Sequence, residues 1–342
     1  MTPAPPARHG ICCSGTWIID HVKMIDFWPR QDTLANIVAE ELATGGAPSN
    51  VIFDLARFDV GLELSALGLV GDDSDGERIL ADCRSFGIDT THLRKVPGTP
   101  TAYTDVMTVR ESGRRTFFHN RGANALLGPE HFPLPELRCR ILTLGYLLLL
   151  DGMDAADEEH GTRAARLLAS CREHGIVTAV DIVSEDSDRF ERIVTPALPH
   201  IDHLIINELE AGRTTGRDLR PADRLDRAGV EAAVAELLDR GVRELVVVHT
   251  PEVCYGVRRG EPGIWQAAHQ LPPDFVRGTA GAGDAFFAGV VLGIHEGWPL
   301  ARSLRFANAA AASCLRHPTT TGGVGSAEEI HRLADSLPLR SG

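Results

Sequence analysis

The sequence predicts an α/β protein in which helices cover both faces of a mostly parallel central sheet, with a small β-sheet lid set against it. Three observations lead there. From residue 140 on, short apolar strand runs alternate with longer helical stretches, and that alternation places parallel strands side by side with helices above and below. Ahead of it, β-rich runs at 101–109 and 116–119 flank Glu111-Ser112-Gly113, a hairpin outside the alternation. Near the end, a glycine-rich loop at 278–284 opens a long apolar helix that Gly297 and Pro299 stop.

The elements follow in order. An apolar strand at 11–15 ends in glycine, and extended character continues over 16–26, with Asp20 and His21 set among apolar neighbours. Trp28-Pro29-Arg30-Gln31-Asp32 is a turn, and 34–42 carries no single period. A second glycine-bearing loop, Thr44-Gly45-Gly46-Ala47-Pro48-Ser49-Asn50, opens a helical run over 51–58. A buried strand at 62–70 runs into a turn at 71–77, where Ser74 and Glu77 have capping-box spacing for a helix through Phe86. Beyond Arg140 come strand 141–147, helix 157–174, strand 176–181, a short helix near Arg189, strand 204–207, helix 221–240 and strand 245–248. Antiparallel pieces at 255–258 and 264–269 precede the glycine loop and two helices. The whole reads as one domain over 1–342, with lid segments at about 16–44 and 100–120 inserted into the α/β core. Ligands of such sheets gather at the carboxyl ends of the strands, where a lid excludes water from a transfer reaction.

Composition limits the function classes. An apolar fraction of 43% and a charged fraction of 24% over 342 residues describe a soluble globular chain with ample core. A net charge of −13 argues against nucleic acid or an anionic membrane surface as partner. Seven cysteines without a Cys-x-x-Cys pair read as reduced thiols, and no apolar signal core precedes them, so a cytoplasmic location is expected. The longest apolar run, 141–150, is too short to span a bilayer. His200 and His203 lack the company of a metal site.

The glycine loop carries the chemistry. Gly278, Gly281 and Gly283 with Ala280 and Ala282 leave backbone N–H groups bare at a helix start, where unpaired donors and the positive end of the peptide dipoles suit an anion. Asp284 is the odd member, since a carboxylate there repels a resting phosphate. It makes sense as a general base that takes a proton from a hydroxyl while the N–H groups of Gly281, Ala282 and Gly283 hold charge on a phosphoryl group in transfer. An ordinary Asp in the first turn of a helix is the plain alternative. The chain has no Gly-x-x-x-x-Gly-Lys-Ser/Thr run, and Lys23 and Lys95 are its only lysines, so a P-loop is ruled out. No Gly-x-Gly-x-x-Gly follows the first strand, so a dinucleotide fold lacks its fingerprint.

Gly281-Ala282-Gly283-Asp284, followed by Ala285-Phe286-Phe287-Ala288-Gly289, resembles the C-terminal signature of the ribokinase-like (PfkB) carbohydrate kinases. The resemblance covers nearly the whole chain. Gly15 through Asp20-His21 is similar to the family's first strand, whose Asp binds sugar hydroxyls, and Gly45-Gly46-Ala47-Pro48-Ser49-Asn50 to its sugar loop. Gly71-Asp72-Asp73-Ser74-Asp75-Gly76 and Gly122-Ala123-Asn124 match recurring family blocks. Asn207-Glu208-Leu209-Glu210 matches the Asn-x-x-Glu motif that places magnesium and phosphate, and 306–312 the helix bordering adenine. The resemblance implies a ribokinase-like three-layer α/β/α fold and ATP-dependent phosphorylation of a sugar or sugar-like hydroxyl, with Mg2+. It implies Asp284 as base beside a cradle at 281–283, an acceptor held by Asp20, Gly45, Gly46, Asn50 and Asn124, and a nucleotide near Asn207, Glu210, Thr279 and Asn308. Glu210 would act on the metal indirectly. An exposed β lid also offers a surface for a homodimer.

Two stretches depart from the family pattern. Gly278 stands where the family usually has Asp, so a monovalent-ion requirement does not carry over. Val248-His249-Thr250-Pro251-Glu252 stands where the family has a glycine-bearing turn, and its bulk would either narrow the nucleotide pocket or change which triphosphate fits. These departures keep a second class open, a sugar-binding or regulatory relative without transfer chemistry; a nucleoside or vitamin kinase on the same scaffold is a third reading. Arg110, Arg114, Arg115 and Arg121 are either solvated charges or the underside of the lid, meeting a carboxylate or phosphate on the sugar.

Overall fold

The computed structural model describes residues 8–340. Strand β1 (Ile11–Gly15) leads through the buried Trp17 into β2 (Ile18–Ile25), which returns as β3 (Ile37–Gly45) before α1 (Ala47–Arg57). Then come β4 (Leu64–Gly71), α2 (Ser74–Ser85), β5 (Asp89–Val96) and the hairpin β6 (Ala102–Val109) with β7 (Arg115–Asn120). The chain re-enters the core at β8 (Ile141–Leu147). It continues through the single turn α3 (Asp151–Asp154), the short pair β9 (Ala156–Asp157) and β10 (Gly161–Thr162), α4 (Arg163–Glu173) and β11 (Val177–Ile182). Next are α5 (Phe190–Ile193), β12 (His203–Asn207), α6 (Glu208–Thr215), α7 (Arg227–Asp239) and β13 (Leu245–His249). The hairpin β14 (Val253–Arg258) and β15 (Ile264–Ala267) precedes α8 (Ala282–His295), α9 (Leu300–Cys314) and α10 (Ala327–Ser336).

The large sheet has nine strands in the order β15-β14-β13-β12-β11-β8-β1-β4-β5. Strands from β5 to β13 run parallel, and only the β14–β15 hairpin is antiparallel. Its strands read as near-continuous apolar runs because both faces are covered. Cys12, Leu142 and Val246 project into the core under α4 and α7, whereas Cys13, Ile141 and Val247 project into the core under α1, α8 and α9. Three layers result, α/β/α. A separate four-stranded sheet, β3-β2-β6-β7, stands apart from them, antiparallel except for the β2–β6 pair.

Several local expectations shift. The stretch 34–42 holds most of β3, whose residues 37–42 are exposed on both faces at a sheet edge, so no apolar alternation marks it. The cap of α2 is Asp73, whose Oδ1 accepts from the Gly76 N–H at 2.8 Å, so the Ser74–Glu77 box does not form; Glu77 instead pairs with Lys95. The helix expected over 157–174 begins at Arg163, because residues 156–162 form the β9–β10 pair and Thr162 caps the helix through Ala165. The helix expected over 221–240 begins at Arg227, because Ala222 and Asp223 have φ of 51° and 59°. β5, α6 and α10 were not anticipated.

Candidate active site

The carboxyl ends of β8, β11, β12 and β13 converge on the start of α8. That start has no side-chain cap. Gly281, at φ 82°, turns into it with a left-handed backbone, and a Cβ there would lie 2.1 Å from the Thr320 carbonyl oxygen. Among the described residues, the N–H groups of Ala282, Gly283 and Asp284 find no acceptor, so the loop presents free donors. Asp284 follows as the third residue of α8 and is only 8% exposed. Its Oδ2 accepts from Asn50 Nδ2 at 2.8 Å and its Oδ1 from the Tyr146 hydroxyl at 2.8 Å. Burial pushes this carboxyl up to about 6 while the two donors draw it down. It is ionised at neutral pH yet holds protons more strongly than an exposed Asp.

On one side of Asp284 lie the residues expected to hold the acceptor. Asn50 is carried by α1, which starts directly after the Gly45-Gly46 joint. A Cβ on Gly45 would meet Asp20 Oδ2 at 2.2 Å, and one on Gly46 would meet the Thr16 carbonyl at 1.8 Å, so only glycines let the chain pass here. Asp20, on the small sheet, is pushed up to about 6 by burial and then by the charge of Asp284, with Arg115 drawing it down. It sits in register with Thr104, whose hydroxyl is 3.0 Å from His119 Nδ1. Asn124 is fully buried and donates to the Trp17 carbonyl at 3.0 Å, pinning the entry to β2, while its Oδ1 has no partner among the described residues. Of the four arginines, Arg121 pairs with Asp151 at 2.9 Å, and Arg110, Arg114 and Arg115 are exposed.

On the other side opens a cleft of about 560 Å³, lined by Asn207, His249, Thr279, Gly283, Phe286 and Asn308 among others. Asn207 and Glu210 form a reciprocal cap on α6. Asn207 Oδ1 accepts the Glu210 N–H at 2.9 Å, and the Glu210 carboxylate accepts from the Asn207 N–H at 2.8 Å, Asn207 Nδ2 at 2.7 Å and Ser184 Oγ at 2.6 Å. Burial pushes Glu210 up, and burial together with the charge of Glu210 pushes Asp181 up. Among the described residues no three His, Cys, Asp or Glu side chains converge as a metal cage. The buried Glu210 and half-buried Asp181, neither with a cation beside it, are hard oxygen groups of the kind a hydrated magnesium ion would suit. His249 packs tilted against Phe286 with ring centroids 4.8 Å apart, and burial lowers it to about 4, so a neutral ring walls the cleft beside Gly283. A Cβ on Gly278 would lie 2.8 Å from the His317 carbonyl oxygen and 2.9 Å from Pro318 Cα, so this loop has no room for a side chain there.

Three groups escaped the sequence reading. Tyr146 is the last but one residue of β8, an apolar strand that reads as plain core, and Asp181 is the last but one of β11. Asp54 lies one turn after Asn50, fully buried, and neither carboxyl oxygen has a partner among the described residues. Burial and then the charge of Asp284 push Asp54 well above the usual carboxylate range. A carboxylate four residues after Asn50 in an otherwise apolar helix was the available signal, since that spacing puts both on one face.

The architecture is that of the ribokinase fold. The structure is similar to Arabidopsis thaliana ribokinase complexed with ribose and ATP, with a TM-score of 0.77 and 22% identity over 96% of this chain and 99% of that one. It is also similar to phosphofructokinase-2 of Escherichia coli in complex with potassium, with a TM-score of 0.75 and 20% identity over 96% and 98%. The model of the pfkB family carbohydrate kinases matches residues 9–325, and the chain belongs to that family. Among curated proteins it is similar to ribokinase of Schizosaccharomyces pombe, 24% identical over 300 residues, 84% of this chain and 85% of that one. It is also similar to an ATP-dependent ribose-1-phosphate kinase of Halopiger xanaduensis, 28% identical over 293 residues, 84% and 86%.

Proposed function

We propose that this carbohydrate kinase transfers the terminal phosphoryl group of ATP to a hydroxyl of an uncharged sugar or sugar-like alcohol, with Asp284 as general base. The observation that carries the reading is the placement of Asp284. A buried carboxylate, held by Asn50 and Tyr146, stands in the first turn of a helix whose free N–H groups border a cleft. Asp284 accepts the proton of the acceptor hydroxyl, and the N–H groups of Gly281, Ala282 and Gly283 hold charge on the moving phosphoryl group. Asp20, Asn50 and the Gly45-Gly46 joint orient the acceptor, with Asn124 fixing the entry to the lid. The cleft takes the nucleotide, with Thr279 near its phosphates and Asn308 toward its base. Asn207 and Glu210 would hold magnesium through water, and the ion would supply positive charge against the charge of transfer.

An uncharged acceptor follows from the charges. Asp20 and Asp284 face it, while Arg121 is engaged by Asp151, Arg110 and Arg114 are exposed, and the charge of Arg115 acts on Asp20. The whole chain acts as one unit, with segments 16–44 and 100–120 closing over the acceptor. The small sheet leaves Trp28, Leu34, Ile37, Val38, Phe117 and Phe118 exposed, and two copies pairing through it would cover them. A cytoplasmic enzyme fits seven free cysteines, and among the described residues no helix is long and apolar enough to cross a membrane.

The test is ADP release measured across neutral sugars, sugar acids, sugar phosphates and nucleosides with magnesium and ATP. Turnover on a neutral sugar, lost in Asp284→Asn, is the expected result. Turnover confined to acidic or phosphorylated acceptors would overturn the charge argument, and sugar binding without ADP release would leave a binding protein.

A further inference from the structure

The end of β8 carries a group that neither the signature motifs nor the nucleotide cleft accounts for. β8 pairs with β1 and β11, and its other side chains are buried. At Gly145 the strand passes close beneath the first turn of α1, where a Cβ would lie 2.7 Å from that of Ala47. The next residue, Tyr146, sends its phenol toward α8, where the hydroxyl donates to Oδ1 of Asp284 at 2.8 Å. Asn50 holds the other oxygen at 2.8 Å. The phenol also lies within electrostatic reach of Asp181 and Glu210. One neutral donor therefore stands among three carboxyls and gives its single proton to Asp284.

We propose that Tyr146 is a positioning residue of the transfer centre: its hydroxyl keeps the Asp284 carboxylate ionised and fixes which edge of it the acceptor hydroxyl meets. This rests on the reading of Asp284 as the base. A buried carboxylate keeps its charge only through the donors that solvate it, and a hydrogen bond to a charged group is among the strong ones. Burial and the neighbouring carboxylates push the phenol's own ionisation well above its usual range, so it remains a donor at every working pH.

The groups facing Asp284 are Asp20 from β2, Asp54 from α1, Asp181 from β11 and Cys314 from α9, with His249 from β13 beside the adjoining Gly283. His249 and Cys314 are neutral near pH 7, and Asp54 and Asp181 titrate well above the usual range. Asp20 titrates where Asp284 does, and Glu210 is also pushed up behind Asp181. A kinetic pH profile alone would not tell these carboxyls apart.

The experiment therefore titrates Asp284 itself. Carbon-13 NMR of the protein labelled at the aspartate carboxyls is followed against pH, the Asp284 signal being the one lost in Asp284→Asn. In Tyr146→Phe the Asp284 midpoint should rise by about one pH unit or more. Turnover at pH 7 should fall and recover toward wild type as the pH is raised, with KM for ATP unchanged. An unmoved midpoint, or a loss of turnover equal at every pH, overturns the proposal. Difluorotyrosine at position 146 keeps the shape and strengthens the donor, so the midpoint should fall; if Tyr146→Phe does not fold, this variant decides alone. Asp284→Asn with wild-type turnover would sink the base reading instead, whatever the midpoint does, so the two failures are distinct.

Discussion

Replacing Asp284 with asparagine should move activity and stability in opposite directions. Burial pushes the carboxyl from 3.8 up to about 6 in the fold. Between those values the unfolded chain has released a proton that the folded chain still holds. The unfolded state then binds fewer protons, so stability falls as pH rises from about 4 to about 6 and stays at the lower level beyond. A gap of about two pH units corresponds to roughly 3 kcal/mol. Asparagine has no such penalty, but its NH2 group must face either Asn50 or Tyr146, which forfeits about 1 kcal/mol of hydrogen bonding. The variant should be more stable than wild type by about 2 kcal/mol at pH 7, and equal or slightly less stable at pH 4. Urea melts at the two pH values measure this, and ADP release on the best acceptor measures turnover, which should fall at least about a hundredfold. Wild-type turnover removes Asp284 from the mechanism, and a variant less stable at pH 7 refutes burial as the dominant influence on that carboxyl.

Three further outcomes are expected. Gly281→Ala forces a side chain into a left-handed turn against the Thr320 carbonyl, so KM for ATP should rise and the melting temperature drop; an unchanged KM would detach the cradle from nucleotide phosphates. Asp54→Leu removes a buried carboxyl without partners and should stabilise the fold by about 1–3 kcal/mol at pH 7, less toward pH 4; destabilisation would mean that the carboxyl has a partner in solution. Ile37→Lys combined with Phe117→Lys should turn a dimer into a monomer in sedimentation, and a monomeric wild type at micromolar concentration would end the lid-pairing reading.

The layered fold was legible because its parallel strands are buried on both faces and announce themselves as apolar runs, as at 141–147 and 245–248. β3 was not, since an edge strand exposed on both faces leaves no alternation to read. The cap of α2 was illegible because two candidates adjoin: Asp73 took the role expected of Ser74, and the cap that Asn207 forms on α6 was not anticipated. Asn207, Thr279, Gly283 and Asn308, which local motifs singled out, line one cleft. Tyr146 and Asp54 could not be singled out in this way, because each matters only through a contact or a burial that joins it to Asp284 across more than a hundred residues.

One joint ties the two halves of the acceptor side together. β3 ends at Gly45 and α1 begins at Ala47, so a lone residue links the small sheet to the helix that carries Asn50. So short a link has no slack, and an inward swing of the sheet must tilt that helix. The amide on Oδ2 then shifts with the sheet, so in the proposed mechanism the grip on the sugar and the readiness of the carboxylate to take its proton are geared through one pair of backbone torsions.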